Sequence, residues 1–128
     1  MKTFVQLFAL VACTLLLGSS TVQAQDKVRN STNCDFRIRV AYGPIGGCTS
    51  TGIIDAIVPA GTSILLGIPP GNEIIEAKGA YAAIVPSCAF YIGLPCTGSP
   101  LIDSVPCTLL CGDYKARLYP GTGIWIYN

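Results

Sequence analysis

The first chemical fact about this chain is an absence: the 128 residues include no histidine. A serine or cysteine nucleophile normally needs a base to take its proton, and imidazole is the usual one. Lysine can replace it, but Lys27, Lys78 and Lys115 form no Ser-x-x-Lys pattern. Carboxylate pairs are the remaining route to hydrolysis. Glu73 and Glu76 are three apart, which puts them on opposite faces of a strand, and Asp55, Asp103 and Asp113 lie near strand ends or loops. Cys34, Cys48, Cys88, Cys96, Cys107 and Cys111 carry the other reactive groups. Their spacing lacks the paired CxxC knuckles of a structural zinc site, so the sequence predicts three disulfides and neither metal nor cofactor. Spacing leaves their pairing open.

Binding constellations are better represented than catalytic ones. Arg37 and Arg39 share one side of an early strand, and Lys115 and Arg117 share one side of a late one. If those strands are sheet neighbours, four cations form a basic face suited to sulfated or phosphorylated glycans or lipid headgroups. The stretch between Cys96 and Cys107 is expected as a stapled loop that presents Leu101 and Ile102 to a protease or receptor. Trp125 and Tyr127 share one strand face with Ile124 and Ile126 on the other, the pattern of a strand buried on both sides. Asn30-Ser31-Thr32 fits an N-glycosylation sequon.

The elements that must position these residues begin after an export signal. Lys2, the apolar run Val5 to Gly18 and the small residues around Val22-Gln23-Ala24 read as a secretory signal over residues 1–24. Leu10-Val11-Ala12-Cys13 also resembles a lipobox, so a lipid anchor at Cys13 is the alternative. Either way the chain is exported, secreted or held at the cell envelope, with no transmembrane segment in its mature part. Cleavage leaves 128 − 24 = 104 residues, enough for one domain. Without Lys2 the eight Lys+Arg become seven, against seven Asp+Glu, and this neutral balance disfavours nucleic acid as a partner.

Residues 25–33 are polar and read as a linker or edge, and 34–128 as the folded domain. Phe36, Ile38, Val40 and Tyr42 alternate with Asp35, Arg37 and Arg39, the period of a half-buried strand. Further strands are expected at 53–58, 63–68, 73–85 (where a helix is the alternative), 89–92, 114–119 and 124–127, with 93–112 a long loop. Six to seven short strands separated by Gly and Pro turns predict an all-β sandwich, with an open barrel as the alternative. Cys34 and Cys48 bracket the first strand, roughly 25 Å apart at ~3.3 Å per residue, too far for a disulfide.

Asn33-Cys34-Asp35-Phe36-Arg37-Ile38-Arg39-Val40, Pro59-Ala60-Gly61-Thr62, Pro70-Gly71 and Cys88-Ala89-Phe90 together resemble the opening strands of thaumatin-like proteins. The likeness covers about residues 28–90, in a chain half the usual family length. No residues match that family's acidic cleft, so the resemblance implies a secreted, disulfide-stapled β-sandwich and no glucan-binding role. The leading expectation is an exported, non-enzymatic module that binds an extracellular protein or glycan. A defence protein, toxin or protease inhibitor acting through the Cys96–Cys107 loop comes second, and a small carboxylate glycan hydrolase third.

Overall fold

The computed structural model describes residues 26–82, 88–108 and 111–128. Residues 1–24, expected to be an export signal, and Cys13 among them lie outside the described residues. Nine strands are found among them: β1 Lys27–Asn30, β2 Phe36–Pro44, β3 Gly52–Val58, β4 Ser63–Leu65, β5 Asn72–Tyr81, β6 Phe90–Gly93, β7 Ile102–Val105, β8 Tyr114–Tyr119 and β9 Gly123–Tyr127. They form a five-stranded sheet in the order β4-β1-β9-β8-β7 and a four-stranded sheet in the order β3-β2-β5-β6. Pairing is antiparallel except between β1 and β9, and the sheets pack face to face without closing into a barrel. The expected all-β sandwich is the observed fold.

Alternation places the core. Phe36, Ile38 and Val40 of β2 point inward, as the sequence predicts, and meet Ile124, Ile126, Ala116 and Leu118 of the other sheet. The stretch that begins at Glu73 is a strand, but its period breaks. Ala41 pairs with Glu76 and Tyr42 with Ile74, which leaves Ile75 as a bulge residue. One extra residue turns two successive isoleucines inward, and both are buried.

At one end of the sandwich four rings cluster. Phe36 lies 4.8 Å from both Tyr81 and Tyr114, and Phe90 lies 6.3 Å from Tyr114 in an edge-on arrangement. The Tyr81 hydroxyl donates to the Gly112 carbonyl at 2.8 Å, and the Tyr114 hydroxyl donates to the Cys88 carbonyl. Burial pushes the Tyr114 phenol above its ordinary pKa. Two bridges, Cys34–Cys111 and Cys88–Cys107, staple this end, while Cys48–Cys96 ties the β2–β3 loop to the 3-10 turn Pro95–Thr97 at the opposite end. Cys34 and Cys48 do not pair, as their separation along β2 requires. All three bridges join cysteines distant in sequence, at separations of 77, 48 and 19 residues.

Two expectations need correction here. The polar segment 25–33 is not a linker or an edge: it carries β1, which lies between β4 and β9. Asn30 within it is no glycan acceptor in this fold. It is 1% exposed, and its Nδ2 donates to the carbonyls of Cys34, Val58 and Pro59 at 2.7, 3.0 and 3.3 Å. Its Oδ1 accepts from the Thr32 amide at 3.0 Å and the Thr32 hydroxyl at 2.8 Å. Asn30 and Thr32 of the sequon therefore hold the crossover from β1 to β2, with no room for a sugar on Nδ2.

Candidate anion-binding face

The predicted foursome of Arg37, Arg39, Lys115 and Arg117 does not assemble. Each pair points outward, as alternation demands, but β2 and β8 belong to different sheets. Their outer faces look away from each other across the core. The period of a strand fixes its faces and not its neighbours, and the expectation depended on neighbours.

Arg37 and Arg39 stand on the outer face of the four-stranded sheet, where charge is mixed. Cross-strand register lines up Asp55, Arg39, Lys78 and Tyr91 in one row. Arg39 grips Asp55 through two hydrogen bonds, 2.7 and 3.0 Å. Those bonds hold the Asp55 carboxyl below its ordinary pKa and raise that of Arg39. Lys78 Nζ lies 5.9 Å from the Tyr91 ring centre. Glu76 is exposed one row away, so this face carries Arg37, Arg39 and Lys78 against two carboxylates.

The five-stranded sheet is different. Outward positions on its strands are Lys27 and Arg29 (β1), Trp125 and Tyr127 (β9), Lys115, Arg117 and Tyr119 (β8), with Ser63 and Leu65 on one edge strand and Ile102 and Ser104 on the other. No strand position on this face is acidic. Lys115 and Arg117 thus do join a four-cation face, but their companions are Lys27 and Arg29. Register sets Arg29, Trp125 and Arg117 side by side across three strands, so the two arginines flank the indole at roughly 10 Å, two strand spacings.

The rings hold the guanidinium groups in place. Arg29 lies over Trp125, 5.0 Å from its centre, and Arg117 lies over Tyr119 at 4.7 Å. Trp125 and Tyr127 are 4.8 Å apart, and Trp125 Nε1 donates to Ser31 Oγ at 2.8 Å. A guanidinium stacked on a ring gains cation–π attraction and loses rotamer freedom, while its N–H edge stays available for a bidentate oxyanion. β9 is central in its sheet, but the Trp125 and Tyr127 face is half-buried and open to solvent, not part of the core. Sequence reasoning missed Lys27, Arg29 and Tyr119. The signal was present, since Lys27-Val28-Arg29-Asn30 alternates, but four residues in a polar segment do not declare a strand.

A step in this face makes it concave. Gly123, the outward residue two before Trp125, has φ of 145° and no side chain, and a Cβ there would run into the backbone of Lys27 on β1. The result is a hollow of about 260 Å³ between the Trp125 and Tyr119 rings, with Lys27 and Arg29 at its rim.

The remaining candidates are dispersed. The segment from Cys96 to Cys107 is not a self-closed loop, because its two cysteines bond elsewhere and it contains β7, paired with β8. Leu101 and Ile102 are partly exposed at that sheet edge, and the Leu101 carbonyl accepts from the Leu118 amide at 2.8 Å. The carboxylates are engaged one by one. Asp103 accepts from the Tyr91 amide at 2.9 Å, Asp113 from the Cys107 amide at 2.8 Å, and Glu73 from the Gly46 amide at 3.0 Å. Asp26 is the one acid whose pKa is raised, by partial burial and then by nearby Glu73. Among the described residues no group of His, Cys, Asp and Glu is arranged to hold a metal, and no helix is long and apolar enough to cross a membrane. No family model matches the chain, and neither a curated protein nor a solved structure matches it significantly.

Proposed function

We propose that this chain is an exported, non-enzymatic β-sandwich that binds an anionic glycan outside the cell through the outer face of its five-stranded sheet. The observation that carries the reading is the segregation of charge: Lys27, Arg29, Lys115 and Arg117 share that face with Trp125, Tyr127 and Tyr119, and with no acidic strand residue. Like charges held together repel one another, and a polyanion relieves that repulsion while it meets pre-oriented guanidinium edges. The rings suit a glycan better than a membrane. They are half-buried between arginine side chains and do not stand proud as an inserting anchor would. Three disulfides fit an oxidising compartment, in keeping with export.

The test is retention on a heparin column. Changing Lys27, Arg29, Lys115 and Arg117 to Gln should bring elution down to low salt, with the fold checked by thermal melting. Changing Arg37 and Lys78 to Gln should leave elution nearly unchanged. Equal loss from both sets, or no loss from the first, overturns the assignment of the face. Binding to anionic phosphatidylserine vesicles without retention on heparin overturns the glycan.

A further inference from the structure

We infer that the hollow over Gly123 is a discrete subsite for a single acidic pyranose unit, a hexuronate, within the proposed glycan-binding face. The inference rests on that reading of the face and deepens it. A basic face alone would hold a polyanion by diffuse attraction, without regard to which sugar carries the charge. The hollow adds shape.

Its floor is backbone because β1 and β9 approach too closely at this register for any side chain: Gly123 is opposite Lys27, and a Cβ would strike that residue's carbonyl oxygen. On the other side Gly123 faces Tyr119 of β8, and the next outward residue of β9 is Trp125. The two rings therefore form walls over a bare patch of main chain. The volume, about 260 Å³, lies just below the range of sites that hold drug-sized molecules and suits one ring better than a chain. Cations stand on the rim. Lys27 and Arg29 follow each other on the outer side of β1, about 7 Å apart along the strand, and Arg29 is held over Trp125.

Ligand chemistry follows from this division. The Trp125 and Tyr119 side chains give the hollow apolar walls that suit the C–H groups of a sugar ring, and a lone inorganic anion would leave them unused. Lys27 and Arg29 need a negative partner, which a neutral hexose lacks. A planar carboxylate on the ring matches both the arginine fork and the lysine ammonium. A pyranose with a carboxylate at C6 combines the two requirements in one unit.

Trp125 is the single tryptophan of the chain and lines the hollow, so emission excited at the red edge, where tyrosine does not absorb, reports on its surroundings. Titration of the intact protein with free D-glucuronate should change the Trp125 emission saturably, whereas D-glucose, which differs only at C6, should not. Tyr119→Ala should abolish the response, and Lys27→Gln should weaken it about tenfold, the loss expected from one charged hydrogen bond. Lys78→Gln, on the outer face of the other sheet, should leave it unchanged. Equal responses to the two sugars, or a full response from Tyr119→Ala, overturn the subsite. Retention of the parent on heparin with no response to glucuronate overturns the hollow and leaves the face standing; absence of both overturns both.

Discussion

Replacing Asn30 with Ala tests whether a single buried amide organises the junction between the two sheets. Its Nδ2 satisfies the Val58 carbonyl, and its Oδ1 satisfies the Thr32 amide, both away from water. Each buried polar group left without a partner costs roughly 1–3 kcal/mol, so with two such groups the variant should lose about 2–6 kcal/mol. That is a large share of the ~5–15 kcal/mol that holds a small domain together. Urea denaturation followed by far-UV circular dichroism reads the change as a lower midpoint at constant slope. Ser31→Ala, which removes only the exposed acceptor of Trp125 Nε1, is the control and should stay within about 0.5 kcal/mol of the parent. Asn30→Asp sharpens the test. It keeps the shape but turns a carboxylate toward three carbonyl oxygens, so the folded state should favour its protonated form. Its carboxyl pKa should then rise on folding, and stability should be best at low pH and fall as pH rises through the carboxylate range. A loss under 1 kcal/mol for Asn30→Ala, or an Asp variant insensitive to pH, would refute the assignment. The same geometry predicts that protein folded and secreted by a glycosylating host shows no glycan mass at Asn30.

Two further perturbations follow from the staples and the aromatic end. Cys48 and Cys96 are both exposed, whereas Cys88 and Cys107 are buried, so limited dithiothreitol followed by alkylation should label Cys48 and Cys96 first; early labelling of Cys88 contradicts the assignment. Replacing that exposed pair with serine should cost about 4 kcal/mol on the chain-entropy argument for a separation of 48 residues, measured by denaturation. Tyr114 has its phenol pKa raised by burial, so its contribution is intact below the ordinary phenol pKa of about 10 and declines as pH rises above it. Stability should therefore drop steeply in alkali, and Tyr114→Phe, although weaker at neutral pH for want of the bond to the Cys88 carbonyl, should show a shallower drop. A parallel alkaline slope in both proteins assigns the loss elsewhere.

Much of the fold was legible because alternation is a local property. Phe36, Ile38 and Val40 set against Arg37 and Arg39 define β2 and its buried side, and Tyr114, Ala116 and Leu118 do the same for β8. Where a strand departs from that pattern, another residue explains it. Ile75 falls in the β5 bulge, so two adjacent isoleucines turn inward and the period is lost. In β7 the apolar Ile102 faces out, while Asp103 takes the inward phase to reach the Tyr91 amide at the seam between the sheets. β1 is four residues long and owes its place to Asn30, whose partners Val58 and Pro59 lie almost thirty residues away. No window of sequence contains that information. The same limit dispersed the predicted basic face, since Arg37 and Arg117 each have the right orientation and the wrong neighbours.

The charge balance of the chain conceals the face it builds, and the reason is structural. Counted together, the cations and acids beyond residue 24 cancel, which argued against nucleic acid as a partner. The acids, however, are occupied at turns and seams. Asp35 accepts from the Ala60 amide at 2.8 Å, Glu73 from Gly46, Asp103 from Tyr91 and Asp113 from Cys107, while Asp55 neutralises Arg39 on the far sheet. Each of these carboxylates accepts hydrogen bonds from backbone amides or from an arginine, and none is an outward position of the five-stranded sheet. Lys27, Arg29, Lys115 and Arg117 keep no carboxylate within ion-pair distance among the described residues. A neutral composition thus yields a polarised molecule, because backbone amides and Arg39 engage most of the acids and none stands at an outward position of the five-stranded sheet. Exchanging Asp103 or Asp113 for Asn would alter the total charge yet leave the face intact, whereas placing one acid opposite Arg117, as in Trp125→Glu, would neutralise its centre.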